Sequence, residues 1–278
     1  MNTPTRLPGD VLALVTSTSP WSAAATAAIA IAAKCQANVS GCYVDASLRM
    51  LHGGEAEPSV LALLLDAPTE NADDRDAFAS LARAANVPHA HWLVTRASIA
   101  ATVRQLGAWH DLVVIDRDLV DESIFFDVLG EALMMCRAPS LVLPSGWNGA
   151  PRFGRIVLAW NGSIEAIRTI HAALPFLQMA QETVLIDGES PHYEDDQPRA
   201  PHFDAVAYLA SHGVRARTRR LHVAPHEAGE ALLRETAQVH GDLLVMGAYG
   251  HSRVRERVLG GATRHVLQHA RVPVFMQH

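Results

Sequence analysis

The chain has 278 residues, 49% of them hydrophobic and 19% charged, which is enough for one large domain or two ordinary ones and too apolar for a disordered protein. No run approaches the eighteen or so apolar residues that span a bilayer, and residues 1–10 lack the basic and apolar regions of a signal peptide. A soluble, cytoplasmic protein with no membrane partner is expected. The net charge of −6 is uneven: residues 1–145 hold 9 Lys and Arg against 16 Asp and Glu, whereas residues 146–278 hold 14 against 13. An acidic first half does not suit polyanions, so any anionic ligand is expected in the second half and no nucleic-acid partner is expected. Cys35, Cys42 and Cys136 are too few and too scattered for a disulfide framework and read as reduced core thiols.

In chain order, "VLALV" at 11–15 reads as a buried strand, followed by the polar turn "TSTSPW" and a helix to about residue 33. Ser17, Thr18 and Ser19 are the residues expected to cap that helix. His89 and His91 fall on one face of a predicted edge strand, and two ligands alone do not make a zinc site. "DLVVIDRD" at 111–118 is a second apolar strand, and "VLGEALMMCRAPSLVLP" at 128–144 a helix with a closing strand. "PSGWNGAPRFG" at 144–154 has the Pro, Gly and Asn content of a linker.

After it the pattern begins again. "IVLAWNGSIEAIRTIHAALPFL" at 156–177 repeats the strand, turn and helix of the start; "DLLVMGAY" at 242–249 answers "DLVVIDRD"; "VLGGATRHVLQHARVPVFM" at 258–276 answers 128–144. Two homologous domains are therefore expected, at 1–145 and 153–278. In the second, the spacing predicts strands near 155–160, 182–187, 214–223, 242–247 and 272–276, with helices near 163–177, 200–212, 226–240 and 261–270. Strands apolar on both faces, alternating with amphipathic helices, define a parallel sheet covered on both sides: a Rossmann-like, doubly wound α/β unit made twice. Arg215, Arg217 and Arg219 mark an edge strand protected by charge. No aromatic residues interleave with them to stack bases. The Pro-rich stretch at 191–202 carries His192, Glu194, Asp195, Asp196 and His202 and reads as a loop rather than a metal site.

"MGAYGHSRVRERVLGGATRHV" at 246–266 carries the densest chemistry. Its first glycines leave the carboxyl end of a predicted strand, and Gly260 and Gly261 open the last helix. Ligands of open α/β sheets collect at that edge. A helix N-terminus offers unpaired N–H groups and partial positive charge to phosphate, and glycine lets backbone approach closely. The segment is neither a Walker loop nor a strand-turn-helix G-x-G-x-x-G.

Gly247, Gly250 and Gly260 reproduce the G-x2-G-x9-G spacing of the universal stress proteins, and "AWNGS" at 159–163 and "VPVF" at 272–275 are similar to that family's first and last strands. The chain resembles two tandem members of the family. The resemblance implies five-stranded parallel sheets in the order 3-2-1-4-5. It also implies a site for ATP, ADP or AMP, with Mg2+ accompanying the phosphates, in the second domain. The positions carried over are Ala159, Trp160, Asn161, Gly162, Met246, Gly247, Tyr249, Gly250, Gly260, Gly261, Ala262 and Thr263. Gly261 stands where the family has Ser or Thr, which removes one hydroxyl and keeps the backbone donor. Asp116 and Asp118 put two carboxylates where phosphates would lie in the first domain, so its site is degenerate. The resemblance further implies pairing of the last strands, 140–143 and 272–276, into an intramolecular pseudo-dimer, with homodimerisation and unidentified protein partners left open. The function implied is a regulatory, stress-response binding protein. Two alternatives stand beside it, an interaction module without nucleotide and a slow ATPase. No catalytic or metal-ligating residue is assigned, because Asp242 lies at the wrong end of its strand to act as a base.

Overall fold

Each long apolar run becomes a central strand. A computed structural model describes residues 6–45, 72–119, 125–188, 204–248 and 261–278, which fall into two units, 7–151 and 152–278. In the first unit β1 (Asp10–Val15), β2 (Asn38–Val44), β3 (Ala90–Thr95), β4 (Leu112–Asp116) and β5 (Ser140–Leu143) form a parallel sheet in the order β3-β2-β1-β4-β5. Its described helices are α1 (Ala23–Cys35), α2 (Ala72–Ala84), α3 (Ile99–Leu106) and α4 (Phe125–Met135). The second unit has β6 (Arg155–Trp160), β7 (Glu182–Gly188), β8 (Ala216–Leu221), β9 (Leu243–Gly247) and β10 (Val274–Gln277), parallel in the order β8-β7-β6-β9-β10. Its described helices are α5 (Ile164–Met179), α6 (Ala205–Ser211), α7 (Ala228–Gln238) and α8 (Gly261–His269).

Val11 to Val15, Leu112 to Ile115, Ile156 to Leu158 and Leu243 to Val245 are all buried, as strands covered on both faces must be. Side-chain oxygens start the helices. Ser98 accepts from the Ala101 N–H at 3.2 Å, and Asp204 accepts from the N–H groups of Val206 and Ala207 at 2.8 and 3.1 Å. The cap of α1 differs from the expectation at Ser17, Thr18 and Ser19. Ser22 fills the role, accepting from the Ala25 N–H at 3.4 Å, because a bridge between Thr18 and Trp21 folds the earlier polar residues into a turn of their own. All three cysteines are buried and unpaired. Burial pushes the Cys42 thiol up to about 12 and raises those of Cys35 and Cys136, so they are inert core groups.

The two units share a contact at the amino ends of their strands. The Asp111 carboxylate accepts from the N–H groups of Gly9 and Asp10 at 2.7 and 3.2 Å. Asp242 repeats the contact, accepting from the Arg155 N–H at 2.9 Å. Each aspartate thus clamps the start of its unit's fourth strand to the start of the first. Asp242→Ala should cost the second unit about 1–3 kcal/mol, since it strands a backbone donor, whereas Asp242→Asn keeps the acceptor. Urea unfolding of both variants checks this, and equal stability of Ala and Asn variants would refute the clamp.

β8 is the edge of its unit's sheet, with Arg217 and Arg219 exposed and held by Glu182 at 3.4 Å and Glu235 at 2.8 Å. His89 and His91 are exposed, and of the two only His91 belongs to β3. The stretch 191–202, with its histidines and acids, lies outside the described residues. Among the described residues no three His, Cys, Asp or Glu side chains converge as metal ligands. No described helix is long and apolar enough to cross a membrane.

Candidate functional site

The sheet of the second unit changes direction at β6, which has β7 on one side and β9 on the other. The crevice outside the carboxyl ends at such a point is where open α/β sheets take ligands. There β6 ends in the turn Asn161-Gly162-Ser163. Asn161 Oδ1 accepts from the Ser163 N–H at 3.1 Å, Gly162 takes a φ of 72°, and Ser163 Oγ accepts from the Ala166 N–H at 3.2 Å. The Asn-Gly-Ser sequence therefore works first as a tight turn and a cap for α5. Ala159 and Trp160 are half-buried at the strand end, while Met246 is buried within β9, so its side chain belongs to the core.

Gly247 ends β9 directly beneath the first turn of α5. A Cβ there would lie 2.6 Å from the Ala166 nitrogen and 2.8 Å from the Glu165 carbonyl carbon. Packing of strand against helix thus demands glycine here, with or without a ligand. Gly261 is the opposite case. It is exposed at the start of α8, and a Cβ there would meet nothing within 4 Å among the described residues. Ala262 is half-buried and Thr263 buried, so the first-turn N–H groups, which have no acceptor within the helix, are the donors this end can offer. α7 holds that turn in place: a Cβ on Gly229 would come within 3.0 Å of the Ala262 carbonyl oxygen. Tyr249, Gly250 and Gly260 lie outside the described residues.

In the first unit the corresponding residue is Asp116, the last of β4. Its exposure is 5%. The carboxylate accepts from the Ala24 N–H in the first turn of α1, and Oδ1 is buried with no partner among the described residues. Burial pushes its pKa from 3.8 up to about 6, opposed by the Ala24 N–H and reinforced by the charge of Asp118. The sequence expectation of two carboxylates facing a ligand is therefore corrected. Asp116 is turned inward against a helix start, in the place that Gly247 leaves for backbone packing in the second unit. Asp118 is committed to the linker, accepting from Ser145 Oγ at 2.6 Å and the Gly146 N–H at 3.0 Å. Aligning "VVID" with "LVMG" marks position 116 as the exception, and only the fold tells which helix the carboxylate meets.

Two doubly wound α/β units, the second with an open helix start near its switch point, define a protein of the Rossmann-like class. The profile of the Universal stress protein family matches residues 152–278. Universal stress protein Slr1230 of Synechocystis is 47% identical over 48 residues, a match that spans 17% of this chain and only 17% of that protein. Among solved structures, a universal stress protein from Archaeoglobus fulgidus superposes with a TM-score of 0.64 at 14% identity, covering 96% of this chain and 95% of that one. A functionally unknown protein from Pseudomonas aeruginosa superposes with a TM-score of 0.60 at 14% identity, covering 98% and 93%. At these identities the structures establish the fold. The second unit, residues 152–278, is thus a universal stress protein domain by its family match, and the chain as a whole shares the fold of these structures.

Proposed function

We propose that the second unit binds an adenine nucleotide, ATP, ADP or AMP, at the carboxyl end of its sheet, and that the chain is a regulatory stress-response protein working in the cytoplasm through protein partners. The observation that carries this reading is the start of α8 at Gly261, exposed and clear of the other described residues, combined with the G-x2-G-x9-G spacing that leads from β9 to it. Phosphates, with any Mg2+ they carry, would lie on the first-turn N–H groups of that helix. Asp242 is occupied as a clamp at the opposite edge of the sheet, which favours binding over hydrolysis.

Isothermal titration of the full chain with Mg-ATP tests the reading. One site per chain is expected. Gly261→Ser places a hydroxyl where a Cβ meets no described residue within 4 Å and should tighten binding about fivefold, the worth of one net hydrogen bond. Gly261→Asp puts a carboxylate against the phosphates and should weaken it by at least about tenfold. Titration without heat for ATP, ADP and AMP, or a Gly261→Asp protein that binds like the wild type, would sink the proposal.

A further inference from the structure

α8 carries two histidines one turn apart, His265 and His269, the first half-buried and the second exposed. Residues four apart stand one above the other on a helix face. Their rings lie 4.3 Å apart, centre to centre, and 27° from parallel. His269 Nδ1 stands 3.0 Å from the His265 carbonyl oxygen. A carbonyl oxygen only accepts, so Nδ1 carries the proton, and in the neutral ring Nε2 keeps its lone pair. The stem of His265 is fixed as well. A Cβ on Gly229 of α7 would come within 2.8 Å of the His265 Cβ, so α7 passes directly against it. One imidazole is thus oriented by its own helix, and the other is held at its root by the neighbouring one.

This arrangement matches what a metal chelate requires. Imidazole nitrogens bound at about 2 Å to one ion, at right angles, stand about 3 Å apart. Side-chain rotation alone brings two rings already in contact to that separation. A ligating histidine commonly donates its other ring N–H to a backbone carbonyl, which fixes ring and tautomer, and His269 makes that bond to His265. His269 also closes α8, and the partial negative charge at a helix C-terminus favours a cation. Two imidazoles do not fill the four-coordinate shell of structural zinc, and among the described residues no third His, Cys, Asp or Glu side chain converges on them. The pair therefore suits an ion that takes nitrogen in a tetragonal shell and completes it with water. Cu2+ and Ni2+ are such ions, copper the tighter, whereas Mg2+ requires oxygen.

We propose that His265 and His269 form a two-histidine chelate for a divalent transition metal of the copper and nickel type, with Nε2 of His269 as one ligand and a ring nitrogen of His265 as the other. The ion ties the last turn of α8 to the turn before it. The pair lies along the helix from Gly261, so the chelate stands whether or not the second unit binds a nucleotide.

Amide NMR of the full chain during titration with Cu2+ tests the assignment, because a paramagnetic ion broadens the signals of residues around it. At substoichiometric Cu2+ the broadening should centre on residues 265–269, while Mg2+ leaves those signals unmoved. His265→Gln and His269→Gln should each remove that broadening. Each should also weaken Ni2+ binding, measured by calorimetry, by at least about tenfold, since loss of either ring ends the chelate. The double variant should bind no more weakly than either single one, because the two rings act as a unit. His269 is exposed, so His269→Gln keeps the fold and decides the matter alone if His265→Gln does not fold. Broadening centred on other histidines, an equal response to Mg2+, or a His269→Gln chain that binds Ni2+ like the wild type would overturn the chelate.

Discussion

Gly247→Ala is expected to destabilise the second unit by about 3 kcal/mol, at the upper end of the range for overpacked cores. The added methyl would lie 2.6 Å from the Ala166 nitrogen and 2.8 Å from the Glu165 carbon, and both of these atoms are backbone. A flexible side chain could swing aside, but a helix turn cannot. α5 is capped at this turn by Ser163 and buries Ala166, Ile170, Ala173 and Leu174, so relief requires lifting a packed helix or bending β9. Gly261→Ala in the same motif should behave oppositely. No described residue comes within 4 Å of a Cβ at that position, and replacing glycine in an exposed helix gains up to about 1 kcal/mol. Hydrogen exchange of the β9 and α5 amides, with calorimetry of the full chain, separates the two variants. Equal stability of the two would refute the packing role. The contrast also decides how the site must be probed. A Gly247 variant that fails to bind nucleotide says nothing about the ligand, because its helix start has moved, whereas a Gly261 variant alters the site on an intact frame.

That distinction shows where reading the sequence succeeds and where it stops. Apolar runs such as "VLALV" and "DLLVM" announce strands buried on both faces, and their recurrence in the two halves announces two units of one strand order, because burial imposes composition directly. The spacing of Gly247 and Gly261 is equally legible. Their separate reasons are not: Gly247 is demanded by Glu165 and Ala166, far earlier in the chain, and nothing local to "MGAYG" reveals which element approaches it. Asn161 presents the same difficulty, since its carbonyl oxygen is spent on the Ser163 N–H within its own turn. Met246 stands beside Gly247 in the motif, yet strand alternation sends its side chain into the core.

Asp116→Asn should make the first unit's stability less dependent on pH. In the folded chain the Asp116 carboxyl has a pKa of about 6 against an ordinary 3.8, raised chiefly by burial. Between those values the folded protein holds a proton that the unfolded chain has released. The stability contributed by this group is therefore full below about pH 4 and is lost as pH rises to about 6. Above that the buried carboxylate costs the first unit about 2–3 kcal/mol, because each tenfold change in proton affinity on folding is worth about 1.4 kcal/mol. The Ala24 N–H and the positive end of α1 soften the cost without removing it, because Oδ1 still has no partner among the described residues. Asparagine resembles the protonated acid in shape and in carrying a donor, so at about pH 4 the variant and wild type should be nearly equal. At about pH 7.5 the variant should be the more stable, the gap between them having widened by about 2–3 kcal/mol. Urea denaturation at the two pH values measures the gap directly, and a difference that stays constant would show that Asp116 carries no such burden. The position ends the fourth strand of its unit as Gly247 does in the second, so the two units resolve the same contact differently. One leaves it empty so that backbone can pack, and the other fills it with a charge that the helix start only partly stabilises.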